Sequence, residues 1–239
     1  IMNKYAFTLA EVLITIGIIG IVAALTIPAL IANYQKQVTV DHLKKSFSVI
    51  SNAFVTSQYE NGDMNSWGMN SIGSVNDGYE NIIPSFLRHY IIKYLNVTVD
   101  CGLSCKFQTK IKRFRLNGEE WSWDDPFYYV VYLNDGTIVS FMVDNNSKEW
   151  MVVRIFVDIN GDQKPNRAGR DIFTFKLDVN GNNAINMSGI SEVKSNKNRN
   201  TLLGTCRECC SKTAGAYSGD FCSGLIQYDG WKISKDYPW

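Results

Sequence analysis

The sequence predicts an α+β fold in which a long N-terminal helix packs on a small antiparallel β-sheet head. Three observations predict this fold: an uncharged apolar run near the N-terminus, an amphipathic pattern that continues it, and later segments rich in β-branched and aromatic residues. The chain of 239 residues is long enough for one ordinary domain plus such an appendage.

The apolar run extends from Val12 to Ala32 without a charged residue, and the uncharged stretch continues to Gln35. A helix of this length spans about 30 Å, which is the thickness of the hydrocarbon core of a bilayer. Its apolar residues surround the helix instead of forming a stripe, which argues against a buried core helix. The small residues from Ala29 to Ala32 leave a conventional cleaved secretory signal open as an alternative.

The residues from Lys4 to Ile14 read Lys-Tyr-Ala-Phe-Thr-Leu-Ala-Glu-Val-Leu-Ile. This segment resembles the class III signal of type IV prepilins, which has a short basic leader, a small residue before the cleaved bond, an aromatic first mature residue and a Glu four residues later. The resemblance implies a leader of residues 1–6, or Met2 to Ala6 if Met2 is the start, with Ala6 in place of the usual Gly. It also implies that a prepilin peptidase cuts before Phe7 and methylates the new amino group.

Glu11 lies just inside the apolar helix, where a lone carboxylate costs a few kcal/mol in lipid unless it is paired. The resemblance implies a partner for it, the α-amino group of Phe7 on a neighbouring subunit, which would neutralise both charges and set the register during assembly. The alternative is that Glu11 reaches the membrane interface by itself, since it lies close to the start of the helix.

Pro28 stands twenty-one residues after Phe7. This spacing resembles the position at which the helices of that family commonly kink. Because Pro28 lacks a backbone donor and crowds the preceding turn, we expect it to kink or locally melt the helix. Gly17 and Gly20 add tolerance for close packing between helices.

An amphipathic pattern follows from residue 36 to residue 60, where apolar residues recur every three or four positions. These residues are Val40, Leu43, Phe47, Ile50 and Phe54. We expect the helix to stop at Asn61-Gly62-Asp63. The chain is thus divided into a leader at 1–6, a transmembrane and filament-core helix at 7–35, its amphipathic continuation at 36–60, and a head at 61–239 that ends in a disulfide-rich tail.

The head is predicted to contain a second helix and about four antiparallel strands. The helix runs from Ile82 to Leu95, with Pro84 in its first turn. Two strands flank the hairpin signal Asn134-Asp135-Gly136, and two more flank a longer loop. The strand ranges are Phe127 to Leu133, Thr137 to Val143, Met151 to Val157 and Ile172 to Val179. We expect a final strand and the tail, at Trp231 to Trp239, to close the core, and the alternative is that its aromatic residues form a binding patch.

Six cysteines lie in the head and can pair in 15 ways, so the sequence does not determine their connectivity. They are Cys101, Cys105, Cys206, Cys209, Cys210 and Cys222. Four of them could surround zinc, but two would be left over and no His lies near either cluster. Disulfides are the expected state if the head is exported, because that compartment is oxidising.

The loop before the last predicted strand is a candidate calcium site. Asp158, Asn160 and Asp162 have the alternating oxygen spacing of the start of an EF-hand loop, and Asp171 could supply a further carboxylate. The turn glycine and the final Glu of that motif are missing. Some pseudopilins, which the N-terminal segment resembles, carry calcium in a β-loop. The alternative is a turn in which the Asp and Asn side chains bond their own backbone.

Charge and motifs argue against other function classes. Lys and Arg number 24 and Asp and Glu number 23, so no field of one sign would gather nucleic acid over the whole molecule. No Gly-rich phosphate loop, nucleophile elbow or His-Glu-x-x-His helix occurs in the sequence, and we expect no enzyme activity.

The resemblance implies a structural subunit, a pseudopilin or minor pilin, of a type II secretion or type IV pilus filament. Such a subunit passes once through the bacterial inner membrane, with its head in the periplasm or outside the cell. Its partners would be other copies, other pilins or pseudopilins, a prepilin peptidase and an inner-membrane assembly platform. The competing hypothesis is a membrane-tethered surface adhesin or ligand-binding module that uses the helix only as an anchor.

Overall fold

The computed structural model describes residues 8–67, 79–106, 110–123, 126–147, 150–178, 184–189 and 198–239. The chain divides into two compact units, residues 1–38 and 39–239. A long helix and a six-stranded antiparallel sheet confirm the α+β class predicted from the sequence.

Helix α1 runs from Leu9 to Asn61, and its first part belongs to the first unit. Apolar side chains of that part are exposed all round, as Ile19 is at 66%. The Thr15 and Thr26 hydroxyls donate to backbone carbonyls of the preceding turn, so the helix satisfies its own polar side chains. We expected Pro28 to kink or locally melt the helix. The helix is continuous through Pro28, so it does not melt there, and the kink stays a prediction. Proline removes a single N–H from a helix of 53 residues, which the turns on either side tolerate.

The part of α1 in the second unit has one buried face. Val40, Leu43, Ile50 and Phe54 are buried as their spacing predicted. Phe47 is partly buried and meets Phe175 edge-on, with ring centroids 5.5 Å apart. The amphipathic continuation is therefore confirmed, and the helix ends within a residue of the predicted stop.

Helix α2 spans Tyr79–Tyr90, and a short 3₁₀ turn at Ile92–Tyr94 follows it. The prediction placed the helix start too late, because Pro84 was assigned to the first turn whereas it lies in the second. The helix also ends before Leu95, where the chain turns toward the sheet. Its apolar face is buried as predicted, through Ile83 and Leu87.

The main sheet has six antiparallel strands in the order β1-β4-β5-β6-β7-β8. The predicted hairpin is confirmed, with Gly136 in the left-handed conformation that its turn requires. The prediction of four strands was too low, since it missed both edge strands. The bounds are β1 Val97–Leu103, β4 Tyr129–Leu133, β5 Ile138–Ser147, β6 Trp150–Asp158, β7 Ile172–Asp178 and β8 Ala184–Met187. A separate ribbon pairs β2, Arg113–Phe114, with β3, Glu120–Trp121.

The two faces of the sheet are covered by different elements. One face packs on α1 and includes Phe141, Ile155 and Phe173. The opposite face, reached by the alternate residues of the same strands, packs against Trp121 and Trp123 from the ribbon region.

The C-terminal region contains two short helices, α3 at Asn200–Leu203 and α4 at Cys222–Tyr228. The expected final strand is absent, because residues 229–239 have no strand pairing. The tail does close the core: Tyr237 is buried, and its hydroxyl donates to the backbone carbonyl of Gly169. Side-chain contacts therefore hold this segment where a backbone ladder was expected.

Candidate functional site

The N-terminal end of α1 is closed by a reciprocal cap between Thr8 and Glu11. The Thr8 backbone N–H and hydroxyl each donate to Glu11 Oε2 at 2.8 Å. The Glu11 N–H donates back to the Thr8 hydroxyl at 3.3 Å. This is a capping box, which satisfies donors that a helix start leaves unpaired and places a carboxylate at the positive end of the helix dipole.

The capping box gives Glu11 a local partner that our reading of the sequence missed. The signal was present, since Thr8 followed three residues later by Glu11 is the sequence signature of this cap. The predicted processing residues Ala6 and Phe7 lie outside the described residues. The predicted pairing of Glu11 with the Phe7 amino group of another subunit stays a prediction.

The surface next to this cap is apolar. Among the described parts of the chain, α1 is the one helix long and apolar enough to cross a membrane by length and composition. None of its most apolar 18-residue stretch is buried. A surface of this kind is covered by lipid or by other helices.

Asp171 stabilises the candidate calcium loop through hydrogen bonds to the loop's own backbone. The Asp171 carboxylate accepts the backbone N–H groups of Asn166 at 2.7 Å and Arg167 at 2.6 Å. The Ile159 N–H donates to the Asp171 carbonyl at 2.9 Å. These bonds are those of a side-chain-stabilised turn, which was the alternative to calcium binding.

Asp158 faces a cation of the protein itself. Arg113 Nε lies 3.6 Å from Asp158 Oδ2, and both side chains are fully buried. Burial raises the pKa of the Asp158 carboxyl well above its usual value; Asp171 acts in the same direction and Arg113 opposes it. Burial also lowers the pKa of Arg113, against the effect of Asp158. The Arg113 guanidinium lies 4.2 Å from the centre of the Trp123 ring.

The fit of this loop to calcium is therefore mixed. Asn160 and Asn166 each have a side-chain oxygen that is buried and accepts no hydrogen bond from the described residues. However, Arg113 brings a positive charge beside Asp158, and Asp171 already caps backbone donors. Within the described ranges, no three His, Cys, Asp or Glu side chains come together as a metal site. Calcium binding by Asp158, Asn160, Asp162 and Asp171 stays a prediction.

A second arginine on the same ribbon makes a similar contact. Arg115 donates to Asp220 at 2.8 Å, and its guanidinium lies 3.6 Å from the centre of the Trp121 ring. Thr174 also donates to Asp220, at 3.1 Å. Arg113 thus pairs with Asp158 at the end of β6, and Arg115 pairs with Asp220 in the segment before α4, to which Thr174 of β7 also donates. Neither Arg113 nor Arg115 stands in a local sequence pattern that predicts these contacts.

The six cysteines form three disulfides, which confirms the disulfide interpretation and contradicts the zinc alternative. The pairs are Cys101–Cys105, Cys206–Cys209 and Cys210–Cys222. The third bond joins two buried residues and ties α4 to the segment before it. No thiolate remains among the six to bind a metal.

Comparison with known proteins gives two family matches. A model described as a family of unknown function, DUF6613, matches residues 29–239. A second, the prokaryotic N-terminal methylation motif, matches residues 1–27. No curated protein and no solved structure matches the chain.

The methylation motif is that of structural pilin-type proteins and not of an enzyme family. It implies processing by a prepilin peptidase and assembly with other pilins. The exposed apolar helix after it agrees with a single-pass membrane anchor. The chain therefore belongs to the family of unknown function DUF6613 and, by its N-terminal methylation motif, is a type IV pilin-like precursor.

Proposed function

We propose that the protein is a pseudopilin or minor pilin of a type II secretion or type IV pilus filament. It is held in the bacterial inner membrane by residues 7–35, and its head faces the periplasm or the cell exterior. The observation that carries this proposal is the methylation motif at residues 1–27. The motif overlaps the start of α1, and the apolar stretch of that helix has no buried residues.

In this proposal Glu11 changes partner during assembly. Before assembly, its carboxylate accepts from Thr8 at the helix end. After cleavage, the methylated amine of Phe7 on a neighbouring subunit offers a full positive charge in the same apolar setting. Losing the cap costs about 1 kcal/mol, whereas leaving a carboxylate unpaired in lipid costs more, so a charged partner is favoured. Residues 7–35 then form the filament core with the same helices of other subunits, on an inner-membrane assembly platform.

The first test is co-expression of the full chain with a prepilin peptidase, followed by N-terminal sequencing and intact mass measurement. We expect the mature chain to begin at Phe7 with one added methyl group. Co-expression with a peptidase lacking its catalytic residues is the matched control and should leave the leader in place. An intact leader with the active peptidase would favour a tethered adhesin, and cleavage after Ala32 would favour a secretory signal. Either result contradicts the proposal.

The kind of filament requires a second measurement, because the residues of the head do not define it. Cross-linking in native membranes followed by mass spectrometry should identify other pilin-like proteins as neighbours. Secretion components among those neighbours would indicate a pseudopilus, and retraction components would indicate a pilus. Recovery of the chain without any pilin-like neighbour would contradict assembly.

A further inference from the structure

Two disulfides lie next to each other in the segment that leads into α4, and they differ in exposure. Cys206 is exposed, whereas Cys209, Cys210 and Cys222 are at most 1% exposed. Among the six cysteines, all of which the structure describes, Cys206 is the one exposed residue. A thiol in solution can therefore reach one end of the Cys206–Cys209 bond and neither end of the Cys210–Cys222 bond.

The exposed bond also closes the shorter loop. Its cysteines are 3 positions apart in the sequence, against 12 positions for Cys210–Cys222. A shorter loop removes less entropy from the unfolded chain, so opening it takes less stability from the head. Exposed disulfides are in general more readily reduced than buried ones. Exposure and loop length thus both distinguish Cys206–Cys209 from its neighbour.

The buried half of this disulfide lies where a thiol would find a hydrogen-bond partner. Cys209 Sγ is 3.2 Å from the backbone carbonyl oxygen of Thr201 in α3. In the disulfide this sulfur carries no hydrogen, whereas a reduced Cys209 has an S–H group that can donate to that oxygen. A buried polar group with a partner avoids the cost of an unpaired one. The surroundings of Cys209 therefore suit the reduced state as well as the oxidised state.

The chain around the disulfide is held by contacts that do not involve it. The Tyr217 N–H donates to the Arg207 carbonyl, and the Phe221 N–H donates to the Glu208 carbonyl, both at 3.0 Å. Both acceptors belong to the two residues between the cysteines of the exposed bond. The neighbouring buried disulfide ties the next residue of the chain to α4. We therefore expect the segment to stay in place when the exposed bond opens.

We propose that Cys206–Cys209 is an exchangeable disulfide that accepts electrons from a dithiol, and that Cys206 is the sulfur attacked. A thiolate of the dithiol forms a bond to Cys206 Sγ, the bond between the two cysteines breaks, and its electron pair leaves on Cys209 Sγ, which takes a proton from solvent. The second thiolate of the dithiol then displaces Cys206 from the mixed disulfide, and Cys206 takes a proton in turn. The dithiol ends as a disulfide and the two cysteines end as thiols. The proposal does not depend on the filament role.

The test follows the three disulfides of the oxidised full chain in lipid nanodiscs during incubation with dithiothreitol. Samples are alkylated with a maleimide in acid denaturant, so that buried thiols also react, and peptide mass spectrometry assigns the alkylated cysteines. We expect Cys206 and Cys209 to become alkylated together, at least about tenfold faster than either of the other two pairs. Tryptophan fluorescence should stay native while only this pair is open. Equal rates for the three pairs, earlier opening of another pair, or loss of native fluorescence with the first pair would overturn the proposal.

Two single variants identify the sulfur that is attacked. Cys209→Ser leaves the exposed Cys206 thiol, and Cys206→Ser leaves the buried Cys209 thiol. Each variant is the matched control of the other, because both remove the same disulfide. We expect glutathione disulfide to form a mixed disulfide with Cys209→Ser at least about tenfold faster than with Cys206→Ser, since this reaction is the reverse of attack on the same sulfur. Equal rates or the reverse order would overturn the assignment of Cys206. If either variant fails to fold, the dithiothreitol measurement on the wild type decides, because it needs no substitution.

Discussion

The start of α1 and the outer face of the head sheet both hold charged side chains next to apolar groups, but they satisfy the charge differently. Glu11 is bonded to Thr8, three positions earlier, and both residues are exposed. Arg113 and Asp158 come from segments far apart in the sequence and are fully buried. An exposed local partner can be exchanged for another, whereas a buried pair cannot be separated without disrupting its surroundings. The first arrangement suits contact between subunits, and the second fixes one fold.

The largest expected effect concerns Glu11. Glu11→Gln and Glu11→Leu should reduce incorporation into filaments to background, because each removes the charge that would pair with the Phe7 amine. The measurement is the fraction of the subunit recovered with sheared filaments from cells that carry the assembly machinery.

Thr8→Val is the matched control for Glu11, since it removes the hydroxyl of the capping box and leaves the carboxylate. It should cost the helix end about 1 kcal/mol and keep assembly. If Thr8→Val stops assembly as completely as Glu11→Leu, the cap and not the intersubunit pair is what matters. Wild-type incorporation of Glu11→Gln would likewise refute the exchange of partners.

The next largest effect concerns the buried pair of Arg113 and Asp158 and tests whether the two charges depend on each other. Arg113→Met and Asp158→Leu should each lower the free energy of unfolding by about 3 to 5 kcal/mol, because each leaves a buried charge unpaired. The double variant should be much closer to the wild type, since neither charge remains. Denaturant unfolding followed by tryptophan fluorescence would measure all three, with Trp123 next to Arg113 as a reporter. Additive losses in the double variant would show that the two charges do not interact.

The disulfides should have smaller effects that depend on loop length. Replacing Cys210 and Cys222 by Ser should lower the free energy of unfolding by about 3 kcal/mol, because their bond closes a loop over a sequence separation of 12. The same change at Cys101 and Cys105, with a separation of 4, should cost about 2 kcal/mol. Chemical denaturation under non-reducing conditions would rank the two. The reverse order would mean that local packing outweighs the loop entropy.

Much of the fold could be predicted because its signals are local in sequence. The uncharged run and the three-and-four spacing from Val40 to Phe54 define α1, and Asn134-Asp135-Gly136 defines the central hairpin. The edge strands carry no such signal. Strand β1 contains Asp100 and Gly102 and pairs irregularly with β4, and β8 has only four residues.

The side-chain contacts also divide into local ones, which the sequence predicts, and long-range ones, which it does not. The capping box at Thr8 and Glu11 could have been read from the sequence, because both partners lie within one turn. The pairing of Arg113 with Asp158 could not, since it depends on how the ribbon lies on the sheet. The pairing of the six cysteines could not be predicted either, because it also depends on tertiary structure.

The smallest expected effect concerns the C-terminal tail and its response to pH. Arg199 donates to Asp236 at 2.6 Å and to Asp229. The hydrogen bond from Arg199 holds the pKa of Asp236 below its usual value. A carboxyl with a lowered pKa stabilises the fold above its ordinary pKa and loses that contribution as pH falls through the folded value. We therefore expect the tail to become progressively more accessible to carboxypeptidase as the pH of a brief exposure is lowered further below the ordinary Asp pKa of about 4.

Asp236→Asn is the control for the tail and should show part of this accessibility already at neutral pH, with a weaker dependence on acid. The effect should be small and should shrink with added salt, because the Asp236 side chain is 56% exposed. Buried Asp158 is shifted in the opposite direction: its pKa is raised, so the folded state binds a proton there more readily than the unfolded chain and this carboxyl does not drive acid unfolding. Acid should therefore release the tail while the core beneath it persists. Simultaneous loss of tail protection and of core tryptophan fluorescence would contradict this separation.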